Sequence, residues 1–187
     1  QQFGVKLMLG CELNIIDYEG NMDLEPRYVN GLDFAIASIH DPCYTSGTVA
    51  QNTAAYLGAM KNPAVQIIGH PDDGRFPVDY ETLVCAAKEN HVLLEVNSSS
   101  LHPQCHRLNA KENYITMLEL CRRHRVSVIL DSDAHSDADV GNHIRAWELL
   151  HEIDFPEELV VNSSIEKAAQ YIPYLNQPLY LGGNVHD

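Results

Sequence analysis

The 187-residue sequence predicts an α/β fold with parallel strands, either an open doubly wound sheet or a barrel. Two observations carry that expectation. Short apolar runs recur at 5–9, 32–38, 65–69, 92–97, 126–131 and 159–162, and they are continuously apolar, as in strands covered on both faces. Helical patterns lie between several of them, so strand follows strand at about 30 residues, the size of a βαβ unit.

Taken in order, "VKLML" (5–9) opens the series, and the connection after it ("NIIDYEGNMDLEPRYVNG") is irregular. Tyr18, Gly20 and Asn21 there mark an excursion or hairpin. After "LDFAIAS" (32–38), residues 48–61 read as a helix opened by a threonine cap. Residues 79–90 follow "VQIIG" and begin with Asp79 and Glu81, which suit the positive start of a helix. Residues 110–124 end in basic side chains, 138–151 is a further helix, and a short one is expected at 164–171. No linker or low-complexity tract interrupts the chain, so one domain over 1–187 is expected. A closed β/α barrel of the usual kind needs eight units and about 250 residues. A barrel here is therefore short of one or two βα units, and a chain beginning with Gln1 places the shortfall at the N-terminus.

Composition narrows the function classes. A net charge of -14 with only 12 Lys and Arg argues against a nucleic-acid partner, because phosphate backbones need a basic surface. No run reaches the ~20 apolar residues of a membrane span, so no membrane partner is expected. The 5 cysteines are odd in number and lack CxxC spacing, which suits a reducing cytoplasmic setting.

The 10 histidines are more informative when read with the strands. The first polar groups after successive apolar runs are Glu12, His40, His70 with Asp72 and Asp73, then "NSSS", then Asp133 and His135. In parallel α/β folds the strand C-termini share one face, so residues distant in sequence are expected to converge there. One such histidine is usually hydrogen-bonded structure. Together they make a mixed nitrogen and oxygen donor set suited to zinc, manganese or iron. Asp131, two residues before Asp133, reads as a supporting acceptor or a solvent-facing turn residue. Asp72 and Asp73, in a loop with Gly and Pro, read as solvated.

"GCE", "ASIHDP", "IIGHP" and "DSDAH", in this order and spacing, resemble the PHP (polymerase and histidinol phosphatase) family, nearest to its stand-alone bacterial phosphatases. The likeness runs from about residue 4 to 172. It implies a distorted (β/α)7-type barrel, N-terminally truncated here, that hydrolyses phosphomonoesters with up to three divalent ions. It also implies residue roles. Glu12 is a bridging carboxylate and His40 and His70 complete its subsite, while Asp133 and His135 serve second and third ions. Glu12 and Asp133 then form the catalytic pair, and water activated by the ions is the nucleophile. The family's opening His-x-His is absent, the earliest histidine being His40, so one or two ions are expected here. The resemblance thus also leaves room for a catalytically impaired or non-catalytic metal-binding remnant, or a hydrolase of another bond. Arg107, in the polar loop "NSSSLHPQCHRLN", is the candidate clamp for the phosphoryl group of a small-molecule substrate. A missing segment would leave an inner face for a second chain to cover, hence the expectation of a homo-oligomer.

Overall fold

The computed structural model describes residues 7–177. Five strands form one all-parallel sheet: β1 (Gly10–Asn14), β2 (Phe34–Ser38), β3 (Ile67–Ile68), β4 (Leu93–Asn97) and β5 (Val128–Asp131), ordered β1-β2-β3-β4-β5. Among the described residues the strand order does not reverse, which is consistent with the barrel-like alternative, since a doubly wound sheet has a reversal point. The helices are α1 (Pro26–Val29), α2 (Val49–Met60), α3 (Tyr80–Asn90), α4 (Ala110–His124), α5 (Ile144–Glu152) and α6 (Ile165–Ala168).

Side chains alternate across a strand, so each strand feeds two layers. On one face Leu13, Ala35, Ala37, Ile68, Leu94, Val96, Val128 and Leu130 pack with the buried faces of α2 to α5 in one core. On the other, Ile67, Leu93 and Ile129 meet Val161, Ala168, Ile172 and Leu175 from the C-terminal segment. That second face is apolar only at its lower level. Above it the same parity carries Glu12, Ser38, Glu95, Asn97 and Asp131, so the sheet has a polar upper end.

Several boundaries follow from local chemistry. Thr48 and Gln51 form a reciprocal capping box at the start of α2, and Asp79 accepts from the Thr82 amide at the start of α3. Gly58 lets α2 approach the excursion after β1, where a Cβ would lie 1.9 Å from the Glu19 carbonyl oxygen.

Four expectations need correction. Of the strand expected at 5–9, residues 5 and 6 lie outside the described residues and 7–9 form no strand. Pairing with β2 runs from Gly10↔Phe34 to Asn14↔Ser38, which puts Glu12 inside the strand instead of after it. Residues 159–162 form turns with a single bridge, Val128↔Val160. There the Asn162 side-chain amide replaces a strand, accepting from Leu130 N and donating to Leu130 O. The helix expected at 138–151 starts only at Ile144, because Gly141 takes a φ of +75° that a helix cannot continue through. The last short helix closes at Ala168, three residues early.

Candidate metal centre

Glu12 points from β1 into the polar upper end of the sheet, and the chain leaving β2 and β3 delivers His40 and His70 to it. The Glu12 Oε1 to His70 Nε2 distance is 2.9 Å, Glu12 Oε1 to His40 Nε2 is 3.4 Å, and the two Nε2 atoms are 3.1 Å apart. His70 is buried and adopts a φ of 30°, an uncommon backbone for a residue with a side chain. Its amide N–H donates to Glu95 Oε2, which holds the turn. Gly69 just before it is required by close approach, because a Cβ would sit 2.1 Å from Ser38 Oγ.

The tautomer of His40 follows from its neighbours. Asn14 Nδ2 donates to Asp23 Oδ2, so Asn14 turns its Oδ1 toward His40 Nδ1, 2.7 Å away. Nδ1 therefore carries the proton and Nε2 presents a lone pair to Glu12 and His70. A carboxylate oxygen and an imidazole lone pair face each other, with a second imidazole nitrogen between them. That arrangement suits a cation. Burial pushes the Glu12 carboxyl upward, but the polar side chains of His40, His70 and Ser38 around it outweigh this and hold it far below the usual carboxylate range. Donors ~2.0–2.2 Å from a tetrahedral zinc-like ion stand ~3.3 Å apart, and the three separations fall within about 0.4 Å of that. These residues fit a divalent metal.

Asp133 follows β5 in a left-handed turn with a φ of 50°. Asn97 Nδ2 donates to its Oδ2 at 3.0 Å, and Arg107 Nη2 lies 3.7 Å from the same oxygen. Asp133 and Glu12 line one cavity of about 210 Å³, together with Ile36, Glu95, Asn97 and Asp131. His135 is not in that cavity. Its side chain is 87% exposed, and Nδ1 turns back to the Asp133 carbonyl. It lines a neighbouring pocket of about 220 Å³ with His102, Asp139 and Arg145, where Asp133 forms the shared wall.

Arg107 is largely buried, donating through Nη1 to Ser100 Oγ at 2.6 Å. Ser100 Oγ in turn donates to Asp72 Oδ1. Burial works against the Arg107 charge, and the carboxylates of Asp72 and Asp133 outweigh it. The solvated reading of Asp72 and Asp73 is corrected: both are buried. Burial raises the Asp72 carboxyl despite Arg107 nearby. Arg75 grips Asp73 through Nε and Nη2, and this outweighs burial and lowers the Asp73 pKa.

Sequence reasoning passed over Glu95, the carboxyl beside Asp131 on the next strand. Burial and Asp131 raise Glu95 well above a normal carboxyl, and burial and Asp133 raise Asp131. The signal was present, since Glu95 is a lone acid in an apolar strand, on the parity of Asn97. Arg145 and the supporting role of Asn14 had no such signal.

Fold and site define a parallel α/β protein with a His₂–carboxylate cluster of metal-ligand type at the carboxyl ends of its strands. Similar proteins make this more particular. Over 170 residues the chain is 42% identical to a probable phosphatase of Clostridium novyi, covering 91% of this chain and 69% of that protein. It is 43% identical over 169 residues to a probable phosphatase of Caldicellulosiruptor bescii, covering 90% and 69% respectively. A probable phosphatase of Acetivibrio thermocellus is 40% identical over 170 residues, covering 91% and 69%. The chain belongs to the family of these proteins. No protein-family model matches it. Among the described residues no helix is long and apolar enough to cross a membrane.

Proposed function

We propose that this protein is a metal-dependent phosphatase of the PHP type that hydrolyses a small-molecule phosphomonoester. In this reading 1–187 is one domain of the (β/α)7-type barrel. The names of the relatives support a phosphatase. The observation that carries metal dependence is the convergence of Glu12 from within β1 and of His40 and His70 from the chain after β2 and β3 to within 3.4 Å of one another.

Glu12, His40 and His70 hold the ion, and Asp133 is positioned on the shared cavity to hold another. Zinc, manganese or iron suits these donors. A divalent ion there supplies Lewis acidity and a bound water acidified toward neutrality. Arg107, kept cationic by two carboxylates, binds phosphoryl oxygens as charge develops. Asn97 fixes the Asp133 carboxylate through its amide. His135, exposed at the mouth and held to the Asp133 carbonyl, completes a further subsite only after its side chain swings inward. Five free thiols suit a reducing cytoplasm.

The test is hydrolysis of a generic aryl phosphate by protein stripped with chelator and then reloaded. Activity should return with zinc, manganese or iron. Glu12→Gln should lose more than the ~100-fold typical of a change behind the ligands. Metal uptake without turnover favours a binding remnant, and turnover of carboxylic esters alone favours a different hydrolase. Full activity in the stripped protein removes the metal reading.

A further inference from the structure

Outside the cleft, α3 and α4 pack together and bring Glu81, Cys85 and His124 into one cluster. Glu81 and Cys85 stand four residues apart on α3 and so share a face, and His124 is the last residue of α4. His124 Nε2 lies 2.5 Å from Glu81 Oε1. One donor atom from each of the three residues, the Cys85 sulfur included, lies within 4.8 Å of the other two. Arg123 engages the other Glu81 oxygen, Oε2, at 3.5 Å, which leaves Oε1 facing His124. Lys88 Nζ donates to the His124 carbonyl and fixes the end of α4. An ion pair alone accounts for Glu81 and His124 but leaves Cys85 idle, since its thiol has no hydrogen-bond partner among the described residues.

We propose that Glu81, Cys85 and His124 form a second metal site, distinct from the cleft, for a zinc-class divalent ion that ties α3 to α4. Sulfur, imidazole nitrogen and carboxylate oxygen together suit a borderline-soft ion and disfavour magnesium or calcium. Three protein donors leave the fourth tetrahedral position to water. On binding, the Cys85 S–H bond breaks, a sulfur–metal bond forms, and the proton passes to solvent, so occupancy rises with pH. The neighbouring Arg123 and Lys88 charges oppose a cation and keep the affinity below that of a four-ligand structural site. None of the three residues lines the cavities around Asp133, so the site stands whether or not the protein is a phosphatase.

Cobalt(II) titration of the whole chain at about pH 8 tests the proposal. A thiolate ligand gives a sulfur-to-cobalt charge-transfer band in the near ultraviolet, which the Glu12/His40/His70 cluster has no sulfur to produce. The band should appear in the wild type, vanish in Cys85→Ser, and require at least ~10-fold more cobalt in His124→Gln. Cys11→Ser and Cys43→Ser, close in sequence to Glu12 and His40, should retain it. Circular dichroism of Cys85→Ser guards against misfolding, and a misfolded variant hands the decision to His124→Gln. A wild type without the band, or a band that survives Cys85→Ser or is equally strong in His124→Gln, overturns the proposal.

Discussion

The smallest unit that decides the site is the side-chain amide of Asn14. It sits between Asp23 and His40, and its orientation fixes which nitrogen of His40 faces the cleft. Replacing it with alanine removes that instruction without touching a metal donor. Asn14→Ala should weaken metal affinity by ~10–100-fold, as other changes behind a ligand do, with the fold retained. Competition with a chromophoric chelator measures this directly, and unchanged affinity would show that His40 needs no orienting partner. Asp73 is a residue of a different kind. It is buried, is gripped by Arg75, and accepts from the Leu108 amide, so it joins the loop after β3 to the loop before α4. Asp73→Ala should cost ~2 kcal/mol, within the range for hydrogen bonds to charged groups. Because its folded pKa is depressed, this contribution is present above the unfolded value of ~3.9 and is lost as pH falls through the folded one. Urea melts should therefore separate wild type from variant at neutral pH and converge in acid.

Among the elements, α2, α3 and α4 were legible in the sequence to within a residue or two, because each begins or ends with its own chemistry. Thr48 and Asp79 cap two of them, and a basic run closes the third. β1 was misread because its neighbours on both sides are also apolar, and only pairing to β2 selects the register. The convergence of Glu12, His40 and His70 was legible because parallel strands put their C-termini on one side. The offset position of His135 was not, since the turn geometry after β5 is not written in residue type. Glu95 is the most consequential omission. Two carboxyls on adjacent strands, the buried Glu95 and the half-buried Asp131 with its Oδ2 shielded from solvent, have no cation directly bonded to them among the described residues. Such a pair works against folding at neutral pH, where both would otherwise ionise. Glu95→Gln should thus raise the melting temperature of the metal-free protein while lowering metal affinity, the usual opposition between stability and site function. Thermal melts with and without chelator measure both effects, and a destabilised metal-free variant would mean that Glu95 chiefly holds the His70 turn through that residue's amide.

Across the whole molecule, the two faces of the sheet differ in what they can support. The helix-covered face is a continuous apolar core, whereas the other is apolar only where the C-terminal segment covers it. Its upper part is a cleft of carboxylates, Glu12, Glu95, Asp131 and Asp133, with Arg107 as the nearby cation. A protein of net charge -14 adds a negative background to that concentration of charge. Metal binding should therefore act on the stability of the whole fold as well as on its chemistry. An ion held at 100 times its dissociation constant stabilises the folded state by ~2.7 kcal/mol if the unfolded chain does not bind it. At ~2–4 °C per kcal/mol for a domain of this size, the melting temperature should rise by ~5–10 °C on reloading. The rise should follow the logarithm of metal concentration. It should shrink in His70→Ala, whose lost imidazole comes from the best-buried corner of the cluster. Calorimetry of the chelator-treated protein across a series of zinc or manganese concentrations makes the measurement. A melting temperature indifferent to metal would mean that the cleft keeps its charges apart with protons instead of an ion.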